Sequence, residues 1–237
     1  MKLSRIAMIL LLRRTSVAFT FSLWALTGLT NSAHAQEADT VAYRKVVTER
    51  SAKIVQTLSI KDSAAYYRVV NKIADQYIAL NKVHDGSKAA VSSLKQQNLS
   101  KEELATAVKK EEENKNASLR LLHTAFIKLL SADLNAAQVE KVKDGMTYGV
   151  LPLTWTAYQD MLPNLTKQQK EQIYAYLVEA RELAMDEGTS DNKHKVFGKY
   201  KGKINNYLSA AGYDMKKEGE EWQKRIKERE QAKAPKS

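Results

Sequence analysis

Between Gln36 and Asp144 the chain has no proline and one glycine, Gly86. Nothing in that stretch forces the backbone out of a helix. Seven further glycines, with Pro152 and Pro163, fall between Gly145 and Gly219. Turns and close backbone contacts are therefore expected in the second half.

Helix starts are marked four times by one device. Ser59, Ser100, Asn135 and Thr166 each follow a leucine and stand three residues before Asp62, Glu103, Gln138 and Gln169. This is the capping-box spacing, in which the first side chain accepts from a free backbone N–H and the second reaches back. With the apolar periodicity, these signals predict an all-α fold with helices near 40–57, 61–97, 101–131, 135–144, 154–161, 166–187, 191–210 and 214–232.

Two stripes at 3–4 spacing face one another across the turn at Asn98–Ser100. One runs through Val70, Ile73, Tyr77, Leu80, His84, Ser87, Val91 and Leu94. The other runs through Leu104, Val108, Glu111, Lys115, Ser118, Leu122, Ala125 and Leu129. They predict a long antiparallel helical hairpin, followed by a compact helical C-terminal half. Pairing about the turn sets residue n opposite roughly 198 − n, so His84 and Ser87 should meet Asn114, Lys115 and Glu111. Such a polar layer is a solvated stretch or a register-setting contact. One histidine and one carboxylate fall short of a metal-ligand set, and no metal is expected.

The first 35 residues carry only positive charges, Lys2, Arg5, Arg13 and Arg14, before an apolar run from Val17 to Leu29. Ala33-His34-Ala35 then offers a signal-peptidase site. The expected organisation is a signal peptide over 1–35, one helical domain over 36–213 and a charged peripheral tail over 214–237. The domain divides into a long-helix part, 36–144, and an aromatic and glycine-rich part, 145–213. The apolar run is short for a permanent span, so no membrane span is expected after cleavage, and the address is periplasmic or secreted. Removing the signal takes four of the 38 Lys+Arg and none of the 27 Asp+Glu, which leaves a net +7. That charge favours anionic partners without implying nucleic acid. No cysteine is present, so no disulfide contributes and stability must come from burial.

A site, if present, belongs in 145–213, which holds seven of the eleven tyrosines. Tyr148, Trp155 and Tyr158 offer rings with polar edges; His194, Lys199, Lys201, Asn205 and Asn206 offer charge, donors and acceptors on a following helix. The alternative is that these aromatics are core and the lysines a solvated face. Gly198 and Gly202 each cost ~1 kcal/mol in a helix interior, which suggests close packing against a backbone or ligand. Phe197, Tyr200, Ile204, Leu208 and Ala211 are the expected buried side of that helix. In the tail, Met215, Gly219, Trp222 and Ile226 form a thin apolar stripe that should bury little.

A catalytic constellation could be drawn from Glu182, Asp186, His194, Lys201, Asn205 and Tyr207, with paired carboxylates as acid and base. Glu182 and Asp186 are one helical turn apart, a spacing that also describes a charged surface. No nucleophile elbow, zinc-helix, phosphate-loop or dinucleotide motif occurs. No catalytic residue and no cofactor is assigned.

Met146–Val150, Glu179–Glu182, Ala184–Asp186 and the run Phe197-Gly198-Lys199-Tyr200-Lys201-Gly202-Lys203-Ile204-Asn205-Asn206-Tyr207-Leu208, then Gly212-Tyr213-Asp214, resemble a family of exported Bacteroidota proteins. That family's domain has no assigned function. The resemblance implies an exported protein with a link to polysaccharide utilisation, and transfers no catalytic residue. Leu165-Thr166-Lys167-Gln168-Gln169 is also similar to the L-T-x-x-Q motif of Spy-like periplasmic chaperones, and Leu134–Gln138 matches with Asn for Thr. The expected function is an exported accessory or binding protein whose partner is an acidic glycan or another envelope protein. A periplasmic chaperone or stress adaptor and a carbohydrate-active enzyme are the alternatives.

Overall fold

The computed structural model describes residues 27–233. Among them run eight helices and no strand: α1 (Thr27–Gln56), α2 (Ser63–Gln96), α3 (Lys101–Ser131), α4 (Ala136–Met146), α5 (Val150–Met161), α6 (Lys167–Met185), α7 (Ser190–Ala210) and α8 (Met215–Lys233). The fold is all-α. Most of the signal peptide expected over 1–35 lies outside the described residues. The chain forms two compact units, one through Ala42 and one from Tyr43 onward, and the second contains everything discussed below. No described helix is long and apolar enough to cross a membrane.

Three of the four expected capping boxes form. Ser100 with Glu103, Asn135 with Gln138 and Thr166 with Gln169 exchange both bonds. The fourth does not. Asp62 itself caps α2, its carboxylate accepting from the N–H groups of Ala64 (3.0 Å) and Ala65 (3.2 Å). A charged cap also suits the positive end of the helix dipole. Ser59, the expected cap, sits instead at φ 55 in the preceding turn. Helix α5 begins at Val150, before the expected position, with Pro152 in its first turn. Proline costs little there, because its missing N–H would have had no intrahelical partner.

Helices α2 and α3 pack on one another. Lys72, early in α2, donates to the Leu129 carbonyl near the end of α3 (2.6 Å). Leu94, late in α2, shares a groove with Ala107, early in α3. The two helices therefore run in opposite directions. The buried face of α3 differs from the expected stripe: Phe126 and Leu130 are inside, whereas Ala125 is exposed and Leu129 is 53 % exposed. A one-residue step turns a helix by about 100°, and the phase that buries Phe126 removes more apolar area than the phase that buries Ala125.

Burial collects in two clusters. The first joins α1 to α4 through Val47, Val55, Val69, Ile73, Phe126, Leu130, Val142 and Met146. The second joins α5, α6 and α7 through Leu151, Tyr158, Ile173, Leu177, Ala184, Phe197, Ile204 and Leu208. Each fully buried Val, Leu, Ile or Phe side chain contributes roughly 1.5–3 kcal/mol of transfer free energy. Ala211, expected on the buried side of α7, is exposed in the C-cap turn. No described residue of α8 belongs to the buried core.

Candidate functional site

Helix α5 turns Leu151 and Tyr158 toward the second cluster and leaves Leu153 70 % exposed on its outer side. Helix α8 packs against this outer side, held largely by Asp160. The Trp222 indole N–H donates to Asp160 Oδ2 (2.6 Å), and the Arg229 guanidinium donates to both carboxylate oxygens (2.8 and 2.7 Å). Arg225 donates to the main-chain carbonyls of Asp160 (3.2 Å) and Met161 (2.9 Å). These carbonyls belong to the last turn of α5, which lacks intrahelical donors. Bonds from Arg229 and Trp222 hold the Asp160 carboxyl well below the usual carboxylate range.

Between α5, α7 and α8 a cavity of about 400 Å³ remains open. Leu153, Ala157, Met161, Met215 and Trp222 give it apolar walls, and Tyr158, Lys201 and Asn205 supply its polar edge. The Tyr158 hydroxyl donates to Asn205 Oδ1 (2.8 Å). Burial pushes that phenol up to about 12, so it stays neutral and donating at physiological pH. Asn205 Nδ2 and the Lys201 ammonium make no hydrogen bond or ion pair within the described protein, which leaves an amide donor held by Tyr158 and a free cation beside an apolar wall. A second hollow extends past Trp222 toward Gly149, Thr156 and Arg229.

The eight residues singled out in the sequence therefore divide. Tyr158, Lys201 and Asn205 meet in this groove. Tyr148 and His194 meet elsewhere, stacked at 5.7 Å between ring centroids with 13° between planes. Tyr148 holds φ 59 and Gly149 φ 66 in the turn after α4. Trp155 packs partly buried against the second cluster, edge-on to Tyr174 (5.5 Å). Lys199 and Asn206 are exposed on α7 and join neither group. The expectation of close packing at Gly198 and Gly202 is not met: an added Cβ would find nothing within 4 Å at either position. Both lie on the solvent side of α7, so no neighbour requires glycine there.

The candidate catalytic set also disperses. Glu182 and Asp186 meet His123 of α3, at 3.4 Å from Nε2 and 2.8 Å from Nδ1 respectively. Lys143 reaches Glu182 at 3.0 Å, and Arg181 binds Glu140, Asp144 and Glu182 together. Burial alone would raise the Glu182 carboxyl, but bonds from His123, Lys143 and Arg181 outweigh it and hold it at about 2. A carboxyl that stays ionised cannot serve as general acid near neutrality. Tyr207 pairs edge-on with Tyr176 at 6.1 Å, apart from the rest. Among the described residues no histidine–carboxylate group has the makings of a metal site.

Sequence reasoning set Met215 and Trp222 on a thin peripheral stripe, not at a site, and missed Asp160, the α5 residue that Trp222 binds. It also missed two buried cations. Arg181 is 2 % exposed at the seam between α4 and α6. Lys193, 3 % exposed, caps the end of α6 by donating to the carbonyls of Ala184 (3.1 Å) and Met185 (3.0 Å). Burial lowers its ammonium to about 8 against the raising influence of Asp186 and Glu187.

The hairpin's polar layer likewise takes other partners. His84 Nε2 lies 2.8 Å from the carbonyl of Asp186, at the end of α6. Ser87 and Lys115 do share a hollow with His84, while Glu111 lines a separate groove with Leu94 and Ala107.

A search of curated proteins finds no match. A family described as a protein of unknown function, DUF3826, matches residues 44–228. That span opens one residue after the main compact unit begins and includes Asp160, Trp222 and Arg225. The chain belongs to the DUF3826 family.

Proposed function

We propose that this protein is an exported accessory protein, periplasmic or secreted, that binds a ligand in the α5–α7–α8 groove without converting it. The observation that carries the reading is the groove's combination of a Trp222 and Leu153 wall with the Tyr158–Asn205 pair and an unpaired Lys201. A saccharide ring needs an apolar face and donors fixed at its edge, and a carboxylated sugar would also engage Lys201. An acidic glycan is therefore the ligand class, which suits an exported Bacteroidota protein working alongside polysaccharide utilisation. The carboxylates nearest a glycosidase arrangement are occupied by His123, Lys143 and Arg181, which weighs against the enzyme alternative. The L-T-x-x-Q residues Thr166 and Gln169 are both engaged in capping α6, so the motif adds no weight to a chaperone role.

A glycan array probed with the exported protein at two salt concentrations tests this. The expected result is retention of uronate-containing oligosaccharides that weakens as salt rises. No retention of any glycan, together with suppression of client aggregation, would replace this reading with the chaperone alternative.

A further inference from the structure

The hollow beside His84 on the α2–α3 pair is a second polar feature, built from residues the groove does not use. Its volume is about 430 Å³, within the range of small-molecule sites. Lys88, Lys95 and Lys115 line it with His84, Ser87 and Val91, and no carboxylate shares the lining. Elsewhere Lys72 pairs with Asp133, Lys143 with Glu140 and Glu182, and Lys203 with Glu179, while most described lysines stand on exposed surface without an ion pair. None of the three lysines here has an ion-pair partner among the described residues. Three ammonium groups lining one concavity without a carboxylate make the local potential positive, which favours an entering anion.

Ser87 and one nitrogen of His84 are also uncommitted. Ser51, Ser118, Thr124 and Ser131 each donate to the carbonyl four residues back along their helices. Ser87, although 9 % exposed, makes no such bond. A carbonyl can only accept, so His84 Nε2 carries the proton given to Asp186, and Nδ1 has no protein partner. Gly188 makes room for this ring: a Cβ there would come within 2.9 Å of His84 Cδ2. The imidazole is thus fixed in place and tautomer by the end of α6.

We propose that this hollow binds an oxyanion group, a carboxylate, sulfate or phosphate, with Lys88, Lys95 and Lys115 supplying charge and Ser87 a hydroxyl donor. The proposal stands independently of the ligand in the α5–α7–α8 groove. Isotope-labelled protein is titrated at fixed ionic strength with sodium sulfate, sodium phosphate and sodium galacturonate, and followed by amide chemical shifts. Saturable shifts at Ser87, Lys88, Val91 and Lys115 are expected with at least one probe, read separately from any at Tyr158, Lys201 and Asn205 in the groove. Galacturonate alone identifies a sugar acid; sulfate or phosphate alone identifies an inorganic or ester anion. The double substitution Lys88→Gln/Lys115→Gln should weaken that binding about tenfold, Lys88→Arg/Lys115→Arg should retain it, and Lys167→Gln, on distant α6, should leave it unchanged. Absence of saturable shifts with all three probes, or equal affinity in the glutamine variant, overturns the proposal.

Discussion

Asp160 shows how much one side chain can organise. Its carboxylate accepts from Trp222 and Arg229, and its own carbonyl accepts from Arg225, so α8 and the groove wall depend on it. Asp160→Asn keeps an acceptor for the indole and removes the charge that Arg229 grips. Hydrogen exchange along α8 should then accelerate severalfold while the melting temperature barely moves, because no α8 residue lies in the core. Equal exchange in both proteins would show that Asp160 does not hold the helix. Arg181 behaves differently, being 2 % exposed and bound to three carboxylates. Arg181→Leu strips Asp144 of its ion-pair partner and removes one of the cations beside Glu140 and Glu182, which keep Lys143; it should lower unfolding stability by roughly 2–4 kcal/mol in chemical denaturation. At this scale the sequence was partly legible. Tyr158, Lys201 and Asn205 stood out because their chemistry is visible in their types. Arg181 and Lys193 did not, because a cation is expected outside, and only partners from other parts of the chain make its burial tolerable.

Among the elements, α7 carries an avoidable cost. Gly198 and Gly202 lie in a helix interior with open space where each Cβ would go. Alanine at either position should raise unfolding stability by ~0.5–1 kcal/mol through helix propensity alone. Loss of stability in either variant would reveal a close neighbour. Gly188→Ala should act oppositely and destabilise, because its Cβ would press on His84. Helix boundaries were legible wherever a cap and a periodic run agreed, as at Ser100, Asn135 and Thr166. Phase was less legible on α3, where Leu122 is followed at heptad distance by Leu129 and at double four-residue spacing by Leu130. Partner helices, not the α3 sequence alone, decide between those faces.

Over the whole molecule, α6 links the two clusters, through Met185 in the first and through charge on its last turns. His123 of α3 meets Glu182 and Asp186 of α6, and bonds to Asp186 and then Glu182 raise its imidazole from 6.5 to about 9. A base whose folded pKa is raised contributes its full stability below the unfolded value and loses it as pH climbs through the folded value. The stability advantage of the wild type over His123→Gln should therefore be constant below about pH 6.5 and shrink toward pH 9. A total change of ~1–2 kcal/mol is expected, below the full linkage value because the side chain is 23 % exposed and partly screened. A difference that stays flat across that window would mean the imidazole is not charged in the fold.

Occupancy of the groove walled by Trp222 can be read from that side chain. In a chain that starts at Gln36, Trp155→Phe leaves Trp222 as the one tryptophan. Its fluorescence, titrated with an oligouronide retained on the glycan array, reports directly on that wall. A bound ligand should give a saturable change in Trp222 emission, with the midpoint displaced about tenfold by Asn205→Ala or Lys201→Ala while thermal stability stays near wild type. Calorimetric binding of the same oligouronide with no change in Trp222 emission, and no effect of either substitution, would contradict it.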